Sequence, residues 1–215
     1  RNDNLTFSKN LQLTANDNGT SVFDPVLCEI CYRWWCPEGG AIFDPFAGGS
    51  VRGLIARLTG HSYTGIDLCQ EQVEANQVNA EALDVDTEGL QWVCDDSLNM
   101  DKYVEDGTAD MVFTCPPYFD LEKYSNDPRD ISNMEYEGFT DVFIKIMQKA
   151  ARKLKDNRFC VVVLLDVRDK EGSYHDMTGT LKAAMAACGL CLYNDVILLN
   201  AVGSAAFRAR RAMRN

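Results

Sequence analysis

The stretch AIFDPFAGGS, residues 41–50, joins a short apolar run to a glycine-containing turn. The run Ala41–Asp44 is typical of a buried strand, the turn Ala47–Ser50 follows it, and a helix is predicted from Val51 to Thr59. A buried strand that enters a helix through such a turn is typical of α/β folds, which bind ligands at the carboxyl ends of parallel strands. Glycine lets the backbone approach a ligand closely.

Strands and helices alternate along the rest of the chain. Asp24-Pro25 predicts the start of a helix that runs to Trp35, because Asp caps free N–H groups and Pro fits the first turn. The other predicted strands are Ser62–Asp67, Leu90–Cys94, Ala109–Thr114, Phe159–Leu165 and Leu192–Leu199. The other predicted helices are Gln70–Leu83, one whose apolar stripe runs from Phe139 to Leu154, and one with a stripe from Leu181 to Cys188. This alternation predicts an α/β fold with a mostly parallel sheet flanked by helices. The Val-rich run Phe159–Leu165 is predicted to be buried on both faces.

Composition indicates one globular domain. The chain has 215 residues, of which 46% are hydrophobic and 25% charged. We expect residues 1–22 to form a polar arm and residues 23–215 a single domain. The sequence shows no membrane-length apolar run and no secretory signal, and the missing initial Met suggests a fragment or a processed chain. Nine cysteines without a secretion signal indicate free thiols in a reducing, cytoplasmic compartment, and two histidines argue against a His-rich metal site.

The charge distribution is uneven. The net charge of −11 argues against a nucleic-acid partner, because phosphates repel an acidic surface. Residues 200–215, however, hold four arginines and no acid. Arg208, Arg210 and Arg211 are therefore candidate phosphate contacts. A solvated C-terminal helix is the alternative interpretation of this segment.

Acidic residues follow three of the predicted strands. Asp44 suits an ammonium group, Asp67 suits the hydroxyls of a ribose, and Asp96 within Asp95-Asp96-Ser97 suits an adenine amino group. Together they predict a nucleoside ligand. The turn lacks the Gly-Lys-Ser/Thr of a P-loop, and GGSVRG does not match G-x-G-x-x-G. A turn that only packs a helix on a strand remains an alternative.

The strand Ala109–Thr114 ends in TCPPY, residues 114–118. Its two prolines stiffen the chain and remove two N–H donors, so the carbonyls there remain as acceptors. Tyr118 adds a rigid aromatic face. Acceptors beside a stacking ring suit a planar base that carries an exocyclic amino group. Taken alone, the motif also fits a Pro-Pro turn with a packing tyrosine.

These two motifs together resemble a known family, the S-adenosylmethionine-dependent DNA amino-methyltransferases. Residues 44–50 resemble its D-P-F-x-G-x-G-T motif, and residues 114–118 resemble its catalytic [DNS]-P-P-[YFW] motif. Residues 118–134 and 203–208 look like methylases carried by phages and prophages. The resemblance extends from about Ser21 to the end and implies a Rossmann-like class I methyltransferase fold. Ser50 replaces the motif threonine, and Cys115 is a weaker acceptor than the usual Asp, Asn or Ser.

The resemblance also implies a role for each matching residue. The cofactor S-adenosylmethionine would be held by Phe23, Asp24, Asp44, Phe46, Ala47, Gly48, Gly49, Ser50, Asp67, Leu68, Asp96 and Ser97. The catalytic residues would be Cys115, Pro116, Pro117 and Tyr118. The partner would be DNA in a bacterial or phage-infected cell, as in restriction-modification. A flipped base would stack on Tyr118 while the Cys115 side chain and the Pro116 carbonyl accept its amino hydrogens, at cytosine N4 or adenine N6.

Other interpretations stay open. One alternative is methylation of an amino group of RNA, a protein or a small molecule. Another is a catalytically inactive nucleic-acid-binding module. Cytosine C5 methylation would use Cys115 as a nucleophile, but that chemistry has a Pro directly before the Cys, and Thr114 stands there in this sequence. The pairs Cys28/Cys31 and Cys188/Cys191 have zinc-ligand spacing, yet we expect them to be core thiols, with no metal. Trp34 and Trp35 are expected to pack.

Overall fold

The computed structural model describes residues 22–119, 125–169 and 172–199. Its helices are α1 (Pro25–Trp35), α2 (Val51–Leu58), α3 (Gln70–Ala82), α4 (Tyr136–Lys153) and α5 (Met177–Ala187). Its strands are β1 (Ala41–Asp44), β2 (Ser62–Asp67), β3 (Leu90–Cys94), β4 (Ala109–Thr114), β5 (Leu154–Val162), β6 (Val167–Arg168) and β7 (Tyr174–His175). The predicted bounds of α1 and of β1 to β4 are confirmed. The arm and the arginine-rich tail lie outside the described residues.

A parallel five-stranded sheet forms the centre, in the order β3-β2-β1-β4-β5. β1 lies between β2 and β4, so Ile42 pairs with Tyr63 on one side and with Met111 on the other. Helices connect the successive strands. The predicted α/β class is therefore confirmed. This order also brings the ends of β1, β2, β3 and β4 to one edge of the sheet.

The core lies on both faces of the sheet, one part packed against α1 and α2 and the other against α4. All six residues of β4 are buried, and the predicted stripe of α4 buries Phe139, Phe143 and Met147 completely. Burying each such large apolar side chain contributes about 1.5–3 kcal/mol. The ring centroids of Phe139 and Phe143 are 6.0 Å apart, and Phe46, from the turn after β1, lies 6.4 Å from Phe143. The core thus anchors the turn that follows β1.

The outer strand β5 corrects one prediction. The run Phe159–Leu165 was predicted to be buried on both faces, but β5 ends at Val162 and is the outermost strand of the sheet, so Phe159 and its neighbours are only half-buried. The register of the pairing between β4 and β5 also shifts between the pair Ala109–Leu154 and the pair Met111–Phe159. In this bulge Asn157 takes a φ of +56°, a conformation that Asn tolerates.

The prediction of a strand over Leu192–Leu199 is wrong. These residues form no strand, and the side chains of Ile197 and Leu199 are 82% and 86% exposed. A strand needs a neighbouring strand as well as an apolar sequence, and no strand in the described part of the chain pairs with this segment. Apolar composition alone therefore misled the sequence prediction here.

The thiols and tryptophans divide between core and surface. Cys28 and Cys31 are buried, as expected, but Cys188 and Cys191 are exposed because they lie beyond the last buried turn of α5. Trp34 is 67% exposed, against the expectation that it packs. No disulfide joins any of the nine cysteines, all of which lie in the described ranges. Within the described ranges, no group of His, Cys, Asp and Glu has metal-site geometry, and no helix is long and apolar enough to cross a membrane.

Three small elements were not predicted. Asp96 caps a 3₁₀ helix over Ser97–Lys102, and Asp130 caps another over Ile131–Asn133. The strands β6 and β7 form an antiparallel hairpin of two residues each. Elements this short have no hydrophobic period, so only the capping acids of the two 3₁₀ helices give a signal in the sequence.

Candidate active site

The turn after β1 is built around Asp44, whose side chain is completely buried. Its Oδ1 accepts hydrogen bonds from the Phe46 N–H at 3.1 Å and from Thr114 Oγ1 at 2.6 Å. Its Oδ2 accepts from Arg52 Nε at 2.6 Å and from the Tyr63 hydroxyl at 2.9 Å. Each oxygen therefore has two donors, which uses the hydrogen-bonding capacity of a carboxylate.

This arrangement gives Asp44 a structural role that differs from the cofactor contact implied by the resemblance. A carboxylate that holds an ammonium group must present an accessible oxygen, but Asp44 has no exposed surface. Instead, its hydrogen bonds join β1 to β2, β4 and α2 beneath the turn after β1. The sequence does not show this convergence, because the partners come from three other elements.

Arg52 is a site residue that sequence analysis missed. It is 5% exposed, and its Nη2 donates to the carbonyl oxygens of Phe46 and Ala47. The Phe23 ring lies 4.8 Å from its guanidinium carbon. Burial lowers the pKa of Arg52, but the Asp44 carboxylate outweighs burial and raises it, so the guanidinium stays charged. In the sequence, Arg52 is marked only by its place eight residues after Asp44, the residue that ends β1.

The glycine turn is fixed on both sides. Gly48 has a φ of +51°, in the left-handed region that favours glycine. Its N–H donates to Asp67 Oδ2 at 2.8 Å, and its carbonyl accepts from Asn76 Nδ2 at 2.7 Å. Gly49 has no atom within 4 Å of where a Cβ would stand. Open space above a rigid turn lets a ligand approach the backbone there.

Asp67 ends β2 beside this turn and is half-buried. Its Oδ1 accepts from the Cys69 N–H at 2.8 Å, and its Oδ2 accepts from Gly48. Burial raises the pKa of Asp67, although both backbone bonds lower it. Among the described residues, each Asp67 oxygen accepts one hydrogen bond, so each can accept a second from a ligand hydroxyl.

The acids after β3 have different surroundings. Asp95 faces Tyr103 and Lys102, and the hydrogen bond from the Tyr103 hydroxyl, with others from Asn99 and Lys102, lowers its pKa. Asp96 faces the cavity and accepts the Leu98 N–H at 2.8 Å through Oδ1. The Ser97 hydroxyl donates to the Pro45 carbonyl. Ser97 therefore links the end of β3 to the turn after β1.

The Cys115–Tyr118 segment continues β4. Thr114, its preceding residue, is fully buried and hydrogen-bonded to Asp44. Cys115 is half-buried, Pro116 is buried, and the Cys115 Sγ lies 3.5 Å from the Tyr118 hydroxyl. The thiol and the phenol are thus adjacent at the cavity wall.

Most of the predicted site residues line one extended cavity, which also runs along β5 and the exposed residues 192–199. Its lining includes Phe23, Asp24, Phe46, Gly48, Gly49, Ser50, Leu68, Asp67, Asp96, Ser97, Cys115, Pro116, Pro117 and Tyr118. Asp44 and Ala47 lie beneath it and are fully buried. The side chain of Asp24 also caps α1, accepting the Val26 N–H at 2.8 Å. Arg208, Arg210 and Arg211 lie outside the described residues.

An aromatic group supports the segment that ends at Tyr118. The Phe119 ring makes edge contacts with Tyr136 at 5.1 Å and with His175 at 5.3 Å between centroids. Tyr136 and His175 are 3.9 Å apart, and His175 Nε2 lies 2.9 Å from Asp169 Oδ2. Sequence analysis did not find this group, because its members are separated by up to 56 positions.

Comparison with known proteins identifies the fold. No protein-family model and no curated protein sequence matches the chain. Among solved structures, TrmN from Thermus thermophilus matches with a TM-score of 0.56 and 17% identity over 75% of this chain, which spans 41% of the length of TrmN. A protein from Clostridium thermocellum assigned as an rRNA methylase matches with a TM-score of 0.52 and 14% identity, over 79% of this chain and 83% of its own length. The [4+2]-cyclase SpnF matches with a TM-score of 0.54 and 16% identity, over 81% of this chain and 61% of its own.

The chain has the Rossmann-like fold of class I methyltransferases. Because a cyclase shares this architecture, the fold does not determine the reaction. The reaction has to be argued from the residues that line the cavity.

Proposed function

We propose that this protein is an S-adenosylmethionine-dependent methyltransferase that modifies the exocyclic amino group of a base in DNA. The observation that carries the proposal is the hydrogen bond from Thr114 to Asp44. It joins the turn after β1 to the Cys115–Tyr118 segment. These are the two segments in which the sequence resembles DNA amino-methyltransferases, and they line one cavity.

The cavity fits the cofactor. A nucleoside with a polar amino-acid end needs acceptors for its ribose and adenine and a close backbone turn. The half-buried Asp67 with capacity on both oxygens, Asp96 at the cavity and the open turn at Gly49 meet these needs. The bound cofactor supplies an electrophilic methyl group. Phe23, Gly48, Gly49 and Ser50 would hold its methionine part.

The chain's own residues would orient the acceptor nitrogen. Tyr118 offers its ring to the face of a base that has been flipped from the stack. The Pro116 carbonyl and the Cys115 sulfur accept the two amino hydrogens, which directs the nitrogen lone pair toward the cofactor. Catalysis then rests on positioning and electrostatics, without a covalent bond to the enzyme.

Methylation of RNA is the second candidate. The net charge of −11 gives no general attraction for either DNA or RNA, so charge does not separate the two. What favours RNA is the Clostridium thermocellum protein of the same fold, which is assigned to rRNA. The pocket chemistry would be the same for both nucleic acids. A direct assay therefore has to separate them.

The test incubates the purified chain with cofactor labelled in its methyl group and with unmethylated DNA or RNA. Digested nucleosides are then analysed by mass spectrometry. We expect labelled N4-methylcytosine or N6-methyladenine in the DNA, near-complete loss with Tyr118→Ala, and partial activity with Tyr118→Phe, which keeps the ring. Label in RNA alone would replace DNA by the second candidate. No label in either, with the cofactor still bound, would indicate an inactive module.

A further inference from the structure

The guanidinium of Arg52 is buried but has one nitrogen without a recorded acceptor. Nε and Nη2 make three hydrogen bonds, to Asp44 and to the carbonyls of Phe46 and Ala47. Across residues 22–119, 125–169 and 172–199, no acceptor is recorded for Nη1. Nη1 is not one of the fully buried side-chain atoms that lack a partner, so its N–H groups are reachable from the cavity that Arg52 lines. A donor placed in this way is usually completed by a ligand or water.

The location of Arg52 favours a ligand. Although it is 95% buried, Arg52 belongs to the cavity lining, next to Phe23 and Gly48. The Phe23 ring lies 4.8 Å from the guanidinium carbon and covers one side of it. The remaining N–H groups of Nη1 thus suit an acceptor that enters through the cavity.

The acceptor should be an anion. Asp44 neutralises Arg52 in part, but the partners of Nη2 are uncharged carbonyl oxygens. A guanidinium makes its strongest hydrogen bonds with carboxylates and phosphates. The proposed cofactor carries one such group, the carboxylate of its methionine part.

We propose that Arg52 binds the methionine carboxylate of the cofactor through Nη1 while its Nη2 holds the turn after β1. This inference rests on the proposed function. Because the guanidinium is already fixed by Asp44 and two carbonyls, little conformational entropy is lost when the ligand binds. A lysine has a single nitrogen and cannot hold Asp44, the turn and the ligand together.

The test compares two ligands that differ only at the carboxylate. S-adenosylmethionine and its decarboxylated analogue share the adenosine, the sulfonium and the amine. Calorimetry gives Kd for each ligand with the wild-type chain and with the double variant Arg52→Gln/Asp44→Asn. That variant removes both buried charges together, so neither is left unpaired, and Gln can still donate to the turn.

The expected result is selective. The double variant should bind S-adenosylmethionine about tenfold or more weakly, the size expected for a hydrogen bond to a charged group. Its Kd for the decarboxylated analogue should stay within about twofold of wild type. The matched control is Arg57→Gln/Asp86→Asn, a neutralised ion pair that joins the same helix to an exposed acid. This control should bind both ligands as the wild type does.

Other outcomes are distinguishable. Equal weakening for both ligands would overturn the inference, because Arg52 would then only support the turn. Equal affinity of the wild-type chain for both ligands would also overturn it and leave the proposed function intact. If the wild-type chain binds neither ligand nor adenosine, the proposed function fails as well. Thermal unfolding of each variant shows whether it is folded.

Discussion

Arg52 Nε lies 2.6 Å from Asp44 Oδ2, and both side chains are buried. The pair joins the last residue of β1 to helix α2 beneath the turn that faces the cavity. Three further donors, the hydroxyls of Tyr63 and Thr114 and the Phe46 N–H, complete the carboxylate. A buried, fully hydrogen-bonded ion pair of this kind fixes geometry more than it adds net stability.

Breaking the pair from one side should be costly. Asp44→Asn leaves the Arg52 charge buried without a counter-charge, and we expect a loss of about 3 kcal/mol in the free energy of unfolding. Urea unfolding followed by circular dichroism measures this loss. Asp86→Asn, which breaks the pair with Arg57 at an exposed acid, should cost less than about 1 kcal/mol. Similar losses for the two variants would show that the buried pair contributes no more to stability than the exposed pair.

The elements that surround this pair were predictable from the sequence, but the pair was not. The bounds of β1 to β4 follow from short apolar runs that end at Asp, Gly or Pro, which are local signals. The partners of Asp44 lie up to 70 positions away and converge only when β1 is paired on both sides. The same limit applies to the contacts of Phe119 with Tyr136 and His175.

Edge elements were predicted least well. Phe159–Leu165 and Leu192–Leu199 are both apolar, yet the first lies in part on the outermost strand and the second forms no strand. Periodicity reports which residues are apolar, but it does not report whether a neighbouring strand is present to pair with them.

Cys115→Ser should raise the rate of methyl transfer. A hydroxyl oxygen accepts a hydrogen bond from an amino group better than a thiol does, and Ser is close to Cys in size. We expect an increase of a fewfold in kcat with the cofactor Kd unchanged, whereas Cys115→Ala should lower kcat by about tenfold or more. Single-turnover assays on DNA measure both effects. If Cys115→Ala were as active as the wild type, the side chain at this position would have no part in the reaction.

Tyr136 should hold the Cys115–Tyr118 segment through Phe119. Tyr136→Ala removes the ring that contacts both Phe119 and His175, and we expect a loss of stability of about 1–3 kcal/mol. Methyl transfer should fall while cofactor affinity is retained, because the turn after β1 is not touched. Trp34→Ala, a change at an aromatic residue of α1 that is 67% exposed, serves as the control and should affect neither quantity appreciably.

Asp101 should contribute to acid sensitivity. Hydrogen bonds from Lys149 and Lys153 lower the pKa of Asp101 from 3.8 to about 2. A lowered folded-state pKa means that the stabilisation is present above about pH 4 and is lost as pH falls from 4 toward 2. Because the side chain is 54% exposed, solvent screening limits this contribution to about 1 kcal/mol or less. Urea unfolding of wild type and Asp101→Asn across pH 2–7 should show the difference shrinking in acid, and Asp141→Asn, an exposed acid on α4, provides the comparison.

Ile197→Lys should improve solubility without a loss of stability. Ile197 is 82% exposed and lies with Leu199 in an apolar segment that pairs with no strand in the described part of the chain. Exposed apolar segments promote association, whereas a lysine opposes it. The free energy of unfolding, measured in urea, should change by no more than about 0.5 kcal/mol. Light scattering by concentrated samples should fall. A large loss of stability would instead mean that Ile197 is packed in solution, as a sixth strand of the sheet would require.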